Sequence, residues 1–115
     1  MKNAAAVRRG DQVPRPFALT HEAAEDLRAI LLDIAEDSPN TAERLRKEFY
    51  AGLRQLGKNP GTGHYHEELL SRKYRFWNFY SYVVVYAWEE KPIQVISVIH
   101  GARNLAVLFS GGTGD

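Results

Sequence analysis

The feature that most constrains this fold is a change in hydrophobic period part-way along the chain. Between residues 21 and 57, apolar residues recur at the spacing of one face of a helix. From residue 74 to residue 99, aromatic and β-branched residues dominate, as is typical of strands. Helices that precede a separate run of strands indicate the α+β class. We predict a short N-terminal strand and an antiparallel two-helix hairpin packed on a small, mainly antiparallel β-sheet.

The first helix has recognisable start and stop signals. Phe17–Leu19 is predicted as a short edge strand, and Thr20 after it can cap the helix N-terminus. Pro39 disfavours helical geometry in the residue before it, so the helix should end near Asp37. The apolar residues of this helix form one stripe: Ala23, Leu27, Ile30, Leu31 and Ile34.

A second helix is predicted after Pro39, capped by Asn40 or Thr41 and stopped by Gly57. Because only a few residues separate the two helices, they should form an antiparallel hairpin. The stripe of the second helix consists of Ala42, Leu45, Phe49, Leu53 and Leu56.

The strand-rich part divides into three segments: Tyr74–Asn78, Phe79–Trp88 and Ile93–Ile99. Both faces of the second segment carry bulky side chains, which predicts a central strand covered on each side. Glu89–Pro92 reads as a hairpin turn, and residues 104–109 as a short helix.

Charge is unevenly distributed along a chain whose net charge is only +1. Residues 1–16 hold four basic residues and one acidic residue, and the rest is slightly acidic. The first helix carries six acidic residues and one basic residue, the second two acidic and five basic. These opposite charges favour closure of the hairpin. The body lacks the basic excess of a nucleic-acid-binding domain, so direct binding to nucleic acid by this chain alone is not expected.

Length and composition exclude several classes of protein. A chain of 115 residues is one domain, which we divide into an extension (1–16), a folded domain (17–109) and a flexible C-terminal tail (110–115). The absence of cysteine excludes disulfides, thiol nucleophiles and thiolate zinc sites. No apolar run is long enough to span a membrane and none resembles a leader peptide, so we expect a cytoplasmic protein without membrane contact. No cofactor is predicted.

Several side chains could carry chemistry or binding. His64 and His66 lie in a polar loop, but no metal-ligand spacing is matched and no metal site is predicted. Tyr80, Tyr82, Tyr86 and Trp88 share one predicted face of the second strand. Because that strand carries no basic residue, contact with a protein is favoured over stacking on nucleic-acid bases.

Five segments, in order and spacing, resemble the ParE toxins of the RelE/ParE superfamily across about residues 17–109. The resemblance implies a toxin from a bacterial toxin–antitoxin operon, held inactive by a small ParD-like antitoxin in a hetero-oligomer. ParE-type toxins poison DNA gyrase, whereas RelE-type toxins of similar fold cleave mRNA on the ribosome. The segments are Leu19–Leu27, Ile34–Leu45, Leu56–Gly63, Tyr82–Tyr86 and Val98–Arg103.

The site residues favour the gyrase inhibitor over the nuclease. RelE-type nucleases use lysines and arginines on the sheet and a tyrosine near the C-terminus. Here Tyr82 stands where the nuclease pattern has an arginine, and no tyrosine follows Tyr86. The alternatives are an mRNA endonuclease and a non-toxic member that only binds its antitoxin. A nuclease would have to use the remaining basic candidates, namely Arg72, Lys73, Arg75, His100 and Arg103.

The hairpin stripes supply the candidate antitoxin contacts, because two helices on a small sheet cannot cover every apolar edge. The alternative is that some of these side chains are internal core. The candidate antitoxin contacts are Leu27, Ile30, Leu31, Ile34, Phe49 and Leu53. The candidate contacts with the target are Arg75, Trp77, Tyr82 and Arg103.

Overall fold

Two helices pack on one four-stranded sheet, in a computed structural model that describes residues 16–67 and 70–101. The predicted α+β class and the order of its elements are confirmed. The predicted extension, the helix at residues 104–109, the C-terminal tail and Arg103 lie outside these residues, apart from Pro16. The elements are β1 (Phe17–Leu19), α1 (His21–Asp37), α2 (Pro39–Lys58), a short 3-10 helix (Pro60–Thr62), β2 (Tyr74–Phe79), β3 (Tyr82–Ala87) and β4 (Ile93–His100).

The strands lie in the order β1-β4-β3-β2. β1 runs parallel to β4, with Phe17 opposite Ile93, and the other pairs are antiparallel. A bulge between Val85 and Tyr86 shifts the register with β4. The first and last strands of the domain are therefore neighbours, which places β4 in the interior of the sheet.

The predicted strand Phe79–Trp88 is wrong at its beginning. Phe79 is the last residue of β2 and pairs with Tyr82, so Tyr80 and Ser81 form the hairpin turn. Tyr80 has a φ of 55°, in the left-handed region that usually requires glycine or asparagine. The turn was missed because its sequence lacks those residues.

The helix boundaries follow capping chemistry. Thr20 caps α1 as predicted, accepting a hydrogen bond from the Ala23 amide at 3.1 Å. The predicted caps of α2 are wrong, since the Ser38 hydroxyl accepts from the Thr41 amide at 3.1 Å. Pro39 is the first helical residue, where its missing N–H leaves no hydrogen bond unmade.

Gly57 does not end α2, as the sequence suggested, because the helix continues to Lys58. Its small size serves packing instead. A Cβ atom at Gly57 would lie 2.3 Å from the Pro16 carbonyl oxygen, closer than any such contact allows. Gly57 therefore lets α2 approach the chain that leads into β1.

The main core lies between the helices and the sheet. Its fully buried members include Phe49 and Leu53 of α2, Val84 and Tyr86 of β3, and Val95 of β4. A second cluster on the opposite sheet face consists of Phe76, Val83, Val85 and Ile99. β3 is thus buried on both faces, which confirms the predicted covered central strand. Burying each such side chain contributes about 1.5–3 kcal/mol.

The opposite charges of the two helices do not form ion pairs across the hairpin within the described residues. Each helical pair instead joins residues one turn apart in the same helix: Arg28–Glu25 at 3.8 Å, Arg46–Glu43 at 2.6 Å and Arg44–Glu48 at 3.4 Å. Exposed pairs of this kind contribute at most about 1 kcal/mol each. The hairpin is therefore held mainly by its apolar contacts.

Neither helix of the described chain is both long enough and apolar enough to cross a bilayer.

Candidate functional site

An open apolar groove of about 440 Å³ runs between the two helices. We call it the helix groove. Its walls include Leu31, Leu32 and Ala35 from α1, and Ala42 and Tyr50 from α2. Arg46 and Glu43, which pair with one another, lie along its edge. The groove can accommodate an apolar segment, with charged groups beside it.

Leu32 is the most exposed large apolar residue of the groove, and it was not among the candidate antitoxin contacts. It lies outside the predicted core stripe and is 55% exposed. A second apolar edge was visible in the sequence, since Ala24, Leu32 and Ala35 recur at i, i+8 and i+11 on α1. Alanines at such spacing allow a partner to approach the helix backbone closely.

The six candidate antitoxin contacts divide into two groups. The first group is buried and stabilises the fold: Leu27 is 6% exposed, Phe49 1% and Leu53 0%. Of these three, Leu27 alone also lines the helix groove. Ile30, Leu31 and Ile34 are half-buried and remain available in part. These three residues also border a crevice beside Tyr82. Its volume is only about 10 Å³, which leaves no room for a partner's side chain.

At one end of the sheet, the loop Gly63–Glu67 wraps around the edge of β2. His64 and Phe76 exchange backbone hydrogen bonds of 2.9 and 2.7 Å, which closes part of this edge. The His66 ring packs edge-on against the Phe76 ring, with centroids 4.6 Å apart. We call the cluster of Tyr65, Arg72, Arg75 and Trp88 beside this loop the loop end.

Arg75 is enclosed at the loop end. Its guanidinium lies 4.3 Å from the ring centroids of both Tyr65 and Trp88. It donates hydrogen bonds to the Gly63 carbonyl at 2.6 Å and to the Tyr65 hydroxyl at 3.2 Å. Its Nε atom is buried without a partner among the described groups. Arg75 was predicted to contact the target, but here it fastens the loop to the sheet.

Tyr86 supports the same loop from beneath. Its hydroxyl donates to the Pro60 carbonyl at 2.6 Å and accepts from the Gly63 amide at 2.9 Å. Burial raises the pKa of Tyr86 above its usual range. Of the aromatic residues predicted to share one face of the strand, Tyr86 is 0% exposed and belongs to the core, so it cannot make the protein contact favoured for that face.

The opposite end of the sheet, which we call the hairpin end, consists of Tyr80, Tyr82 and His100. Tyr82 and His100 are cross-strand partners whose ring centroids lie 4.8 Å apart. The Tyr80 hydroxyl donates to the Glu48 carboxylate, and this bond raises the pKa of Tyr80. Here the aromatic side chains of Tyr80 and His100 face solvent.

The structure does not bring the described nuclease candidates together. Arg72, Lys73 and Arg75 precede or begin β2, opposite the C-terminal end of β3, whereas His100 lies opposite its first residue, Tyr82. Five residue steps along β3 separate these ends by roughly 17 Å. General acid–base catalysis needs its groups within hydrogen-bond reach of one substrate.

The described target candidates are dispersed as well. Arg75 belongs to the loop end and Tyr82 to the hairpin end. Trp77 lies between them under α2, where a Cβ atom at Gly52 would be 2.5 Å from its ring. These three residues do not share one contact surface.

The two loop histidines form an edge-on pair with centroids 4.8 Å apart. Loss of hydration and the neighbouring His66 lower the pKa of His64. Within residues 16–67 and 70–101, no group of three or more His, Cys, Asp or Glu side chains could hold a metal ion. The pair therefore has the geometry of loop packing.

The described domain is a two-helix hairpin on a four-stranded sheet, with an open apolar groove between the helices. Over residues 17–105 the chain matches the family model described as "ParE toxin of type II toxin-antitoxin system, parDE", and it belongs to that family. The comparison with curated proteins gives no match. The predicted resemblance is thus confirmed: the chain is a toxin of a type II toxin–antitoxin system, and the family implies a cognate antitoxin as partner.

Proposed function

We propose that the cognate antitoxin, a ParD-like protein, inserts an apolar helical segment into the helix groove, and that the freed toxin inhibits DNA gyrase in the cytoplasm. The observation that carries the first part is the groove itself, about 440 Å³ with an exposed leucine in its wall. Neutralisation in this proposal is the formation of a toxin–antitoxin hetero-oligomer.

The groove chemistry suits an amphipathic helix. Ala35 and Ala42 provide shallow positions where a partner backbone can approach, and Leu31 and Leu32 provide apolar area to cover. Arg46 already pairs with Glu43, so a partner need not neutralise an isolated charge there. Helix-in-groove recognition of this kind uses anchors at i, i+3, i+4 and i+7 of the bound helix.

The choice of gyrase rests on the family match and on the dispersal of the described nuclease candidates. Arg75 donates hydrogen bonds to Gly63 and Tyr65 within the protein, and His100 lies at the other end of the sheet. An inhibitor that stabilises a gyrase–DNA cleavage intermediate needs a contact surface and no acid–base pair of its own. The alternative mRNA endonuclease would require such a pair.

The antitoxin proposal predicts a short reading frame next to the toxin gene, and the product of that reading frame is the partner in the binding test. Leu32→Gln removes the exposed apolar anchor and should weaken antitoxin binding about tenfold or more, measured by calorimetry. Ala29→Gln, an exposed position on the same helix outside the groove, is the matched control and should change binding less than twofold (about 0.4 kcal/mol). Equal effects of both variants would place the antitoxin elsewhere.

The gyrase proposal is tested with purified toxin and gyrase on plasmid DNA. We expect less supercoiled product and an accumulation of cleaved plasmid. If gyrase activity is unchanged while mRNA is cut only when ribosomes are present, the endonuclease alternative replaces the proposal. If expression of the toxin alone does not arrest growth, the chain is a non-toxic member that only binds its antitoxin.

A further inference from the structure

We propose that Tyr80, at the turn between β2 and β3, is the anchor through which the toxin contacts its protein target. This inference rests on the proposed function only in taking the target to be a protein. Tyr80 was not among the candidate target residues predicted from the sequence. Three separate observations support it: the exposure of the ring, the backbone conformation and the bonds that hold the side chain.

Tyr80 is 64% exposed. Among the described residues, Tyr80 and Leu32 are the exposed large hydrophobic side chains. Leu32 belongs to the helix groove, whereas Tyr80 is absent from the groove walls and lies beside β2 and β3. The domain therefore has two separate apolar anchors, which fits a protein that binds an antitoxin and a target.

The backbone at Tyr80 is locally unfavourable. A φ of 55° in a residue with a large side chain costs of order 1 kcal/mol relative to glycine. Asn-Gly or a similar pair would form the same two-residue turn without this cost. The backbone conformation therefore disfavours tyrosine at this position, and a binding role of the exposed ring accounts for its presence.

The side chain is held in one position before any partner arrives. Its hydroxyl donates to Glu48 of α2, and Glu48 also pairs with Arg44 at 3.4 Å. Its ring packs edge-on against Phe79 with centroids 4.8 Å apart. A side chain ordered in advance loses little conformational entropy on binding.

The chemistry of this cluster specifies the partner surface. Tyrosine and arginine are the residue types most enriched among side chains that dominate protein–protein affinity. The Arg44 side chain is 59% exposed and uses part of its guanidinium on Glu48. The complementary surface is a shallow apolar pocket for the Tyr80 ring, with a carboxylate beside it for Arg44.

The decisive variant is Tyr80→Gly, which removes the ring and also relieves the left-handed backbone. We expect growth arrest in cells and gyrase inhibition in vitro to weaken about tenfold or more. Antitoxin affinity should stay within twofold (about 0.4 kcal/mol), and the melting temperature should be unchanged or higher. Ser81→Gly alters the same turn without removing a ring, and should retain full toxicity.

Three results would overturn the proposal. The first is a Tyr80→Gly protein that is as toxic as Ser81→Gly, because the ring would then not be the anchor. A fall in melting temperature with equal losses of toxicity and antitoxin binding would give Tyr80 a structural role. If the wild-type protein arrests growth but leaves gyrase unaffected, gyrase is not the target. The role of Tyr80 is then judged from growth arrest by the two variants. If the wild-type protein arrests no growth, the gyrase proposal and the Tyr80 proposal both fail, and the antitoxin proposal is unaffected.

Discussion

The two ends of the sheet carry similar residue types and use them in opposite ways. At the loop end, Arg75 lies between Tyr65 and Trp88 and donates to the backbone of Gly63. At the hairpin end, Tyr80 is tied to α2 by its hydroxyl while its ring remains exposed. The side chains of the loop end therefore contact one another, whereas the hairpin end presents a fixed aromatic side chain to solvent.

This difference shows that residue type does not decide between packing and binding. An arginine next to aromatic residues is a frequent binding surface, but it equally forms an internal stack when a loop folds over it. The loop from Asn59 onwards provides that cover at one end through Pro60, Gly63 and Tyr65. The two-residue turn at the other end is too short to cover anything.

The largest expected effect tests whether the loop end is as tightly closed as its contacts indicate. A Cβ atom at Gly63 would lie 2.6 Å from the Tyr86 hydroxyl and 2.7 Å from the Phe76 carbonyl oxygen. Gly63→Val should therefore destabilise the protein by about 3 kcal/mol in urea unfolding. At Gly61 the nearest atom would be 4.0 Å away, so Gly61→Ala should change stability by less than about 0.5 kcal/mol. Equal stability of both variants would show that the loop is loose.

An intermediate effect separates the two arginines that stack on Tyr65. Arg75→Lys keeps the charge but loses the hydrogen bonds to Gly63 and Tyr65, so it should cost about 2 kcal/mol of stability. Arg72 is exposed and pairs with Glu67 at 3.0 Å, so Arg72→Lys should cost less than about 0.5 kcal/mol. Arg75→Lys should still arrest growth at temperatures where it is folded. Loss of toxicity in a folded Arg75→Lys protein would make the loop end a binding surface after all.

The smallest effect concerns the response of the loop end to acid. Unfolded His64 takes up a proton near pH 6.5, whereas in the folded protein its lowered pKa delays this uptake. The unfolded chain therefore binds more protons below that pH, and stability falls as the solution becomes more acidic. Solvent screens the exposed ring, so the loss between pH 8 and pH 5 should be smaller than either effect above. His64→Gln should reduce this loss, and an unchanged loss would assign it to other groups.

The fold was largely predictable, because it depends on patterns that are local in sequence. The stripe of α1, the Thr20 cap and the change to strand-forming residues specify the helices and the sheet. The errors concern boundaries where a tertiary contact replaces a local signal. Gly57 looked like a helix stop, but it permits the contact with Pro16. The turn at Tyr80 lacks the glycine or asparagine that usually occupies a left-handed position.

The binding surfaces were less predictable, because exposure depends on what covers each residue. Phe49 and Leu53 follow the same helical period as side chains at the surface, yet they are fully buried. The Arg75 side chain was expected to be accessible to a target, because nothing in its local sequence indicates that the loop from Gly63 covers it. Leu32 was passed over because it lies beside the main stripe. Each error arises from a packing partner that is distant in sequence.

The parallel pairing of β1 with β4 has a consequence for synthesis of the toxin. The hydrogen bonds that join Thr20 to Ile96 and Asp26 to Val98 span 76 and 72 residues. Contacts this distant in sequence form late and make folding slow. The helices and the β2–β3 hairpin can form on a growing chain, but β1 has no partner strand until Ile93–His100 has been made. A chain that lacks Ile93–His100 therefore cannot join β1 to the β2–β3 hairpin, and the sheet stays in two separate parts until synthesis is nearly complete.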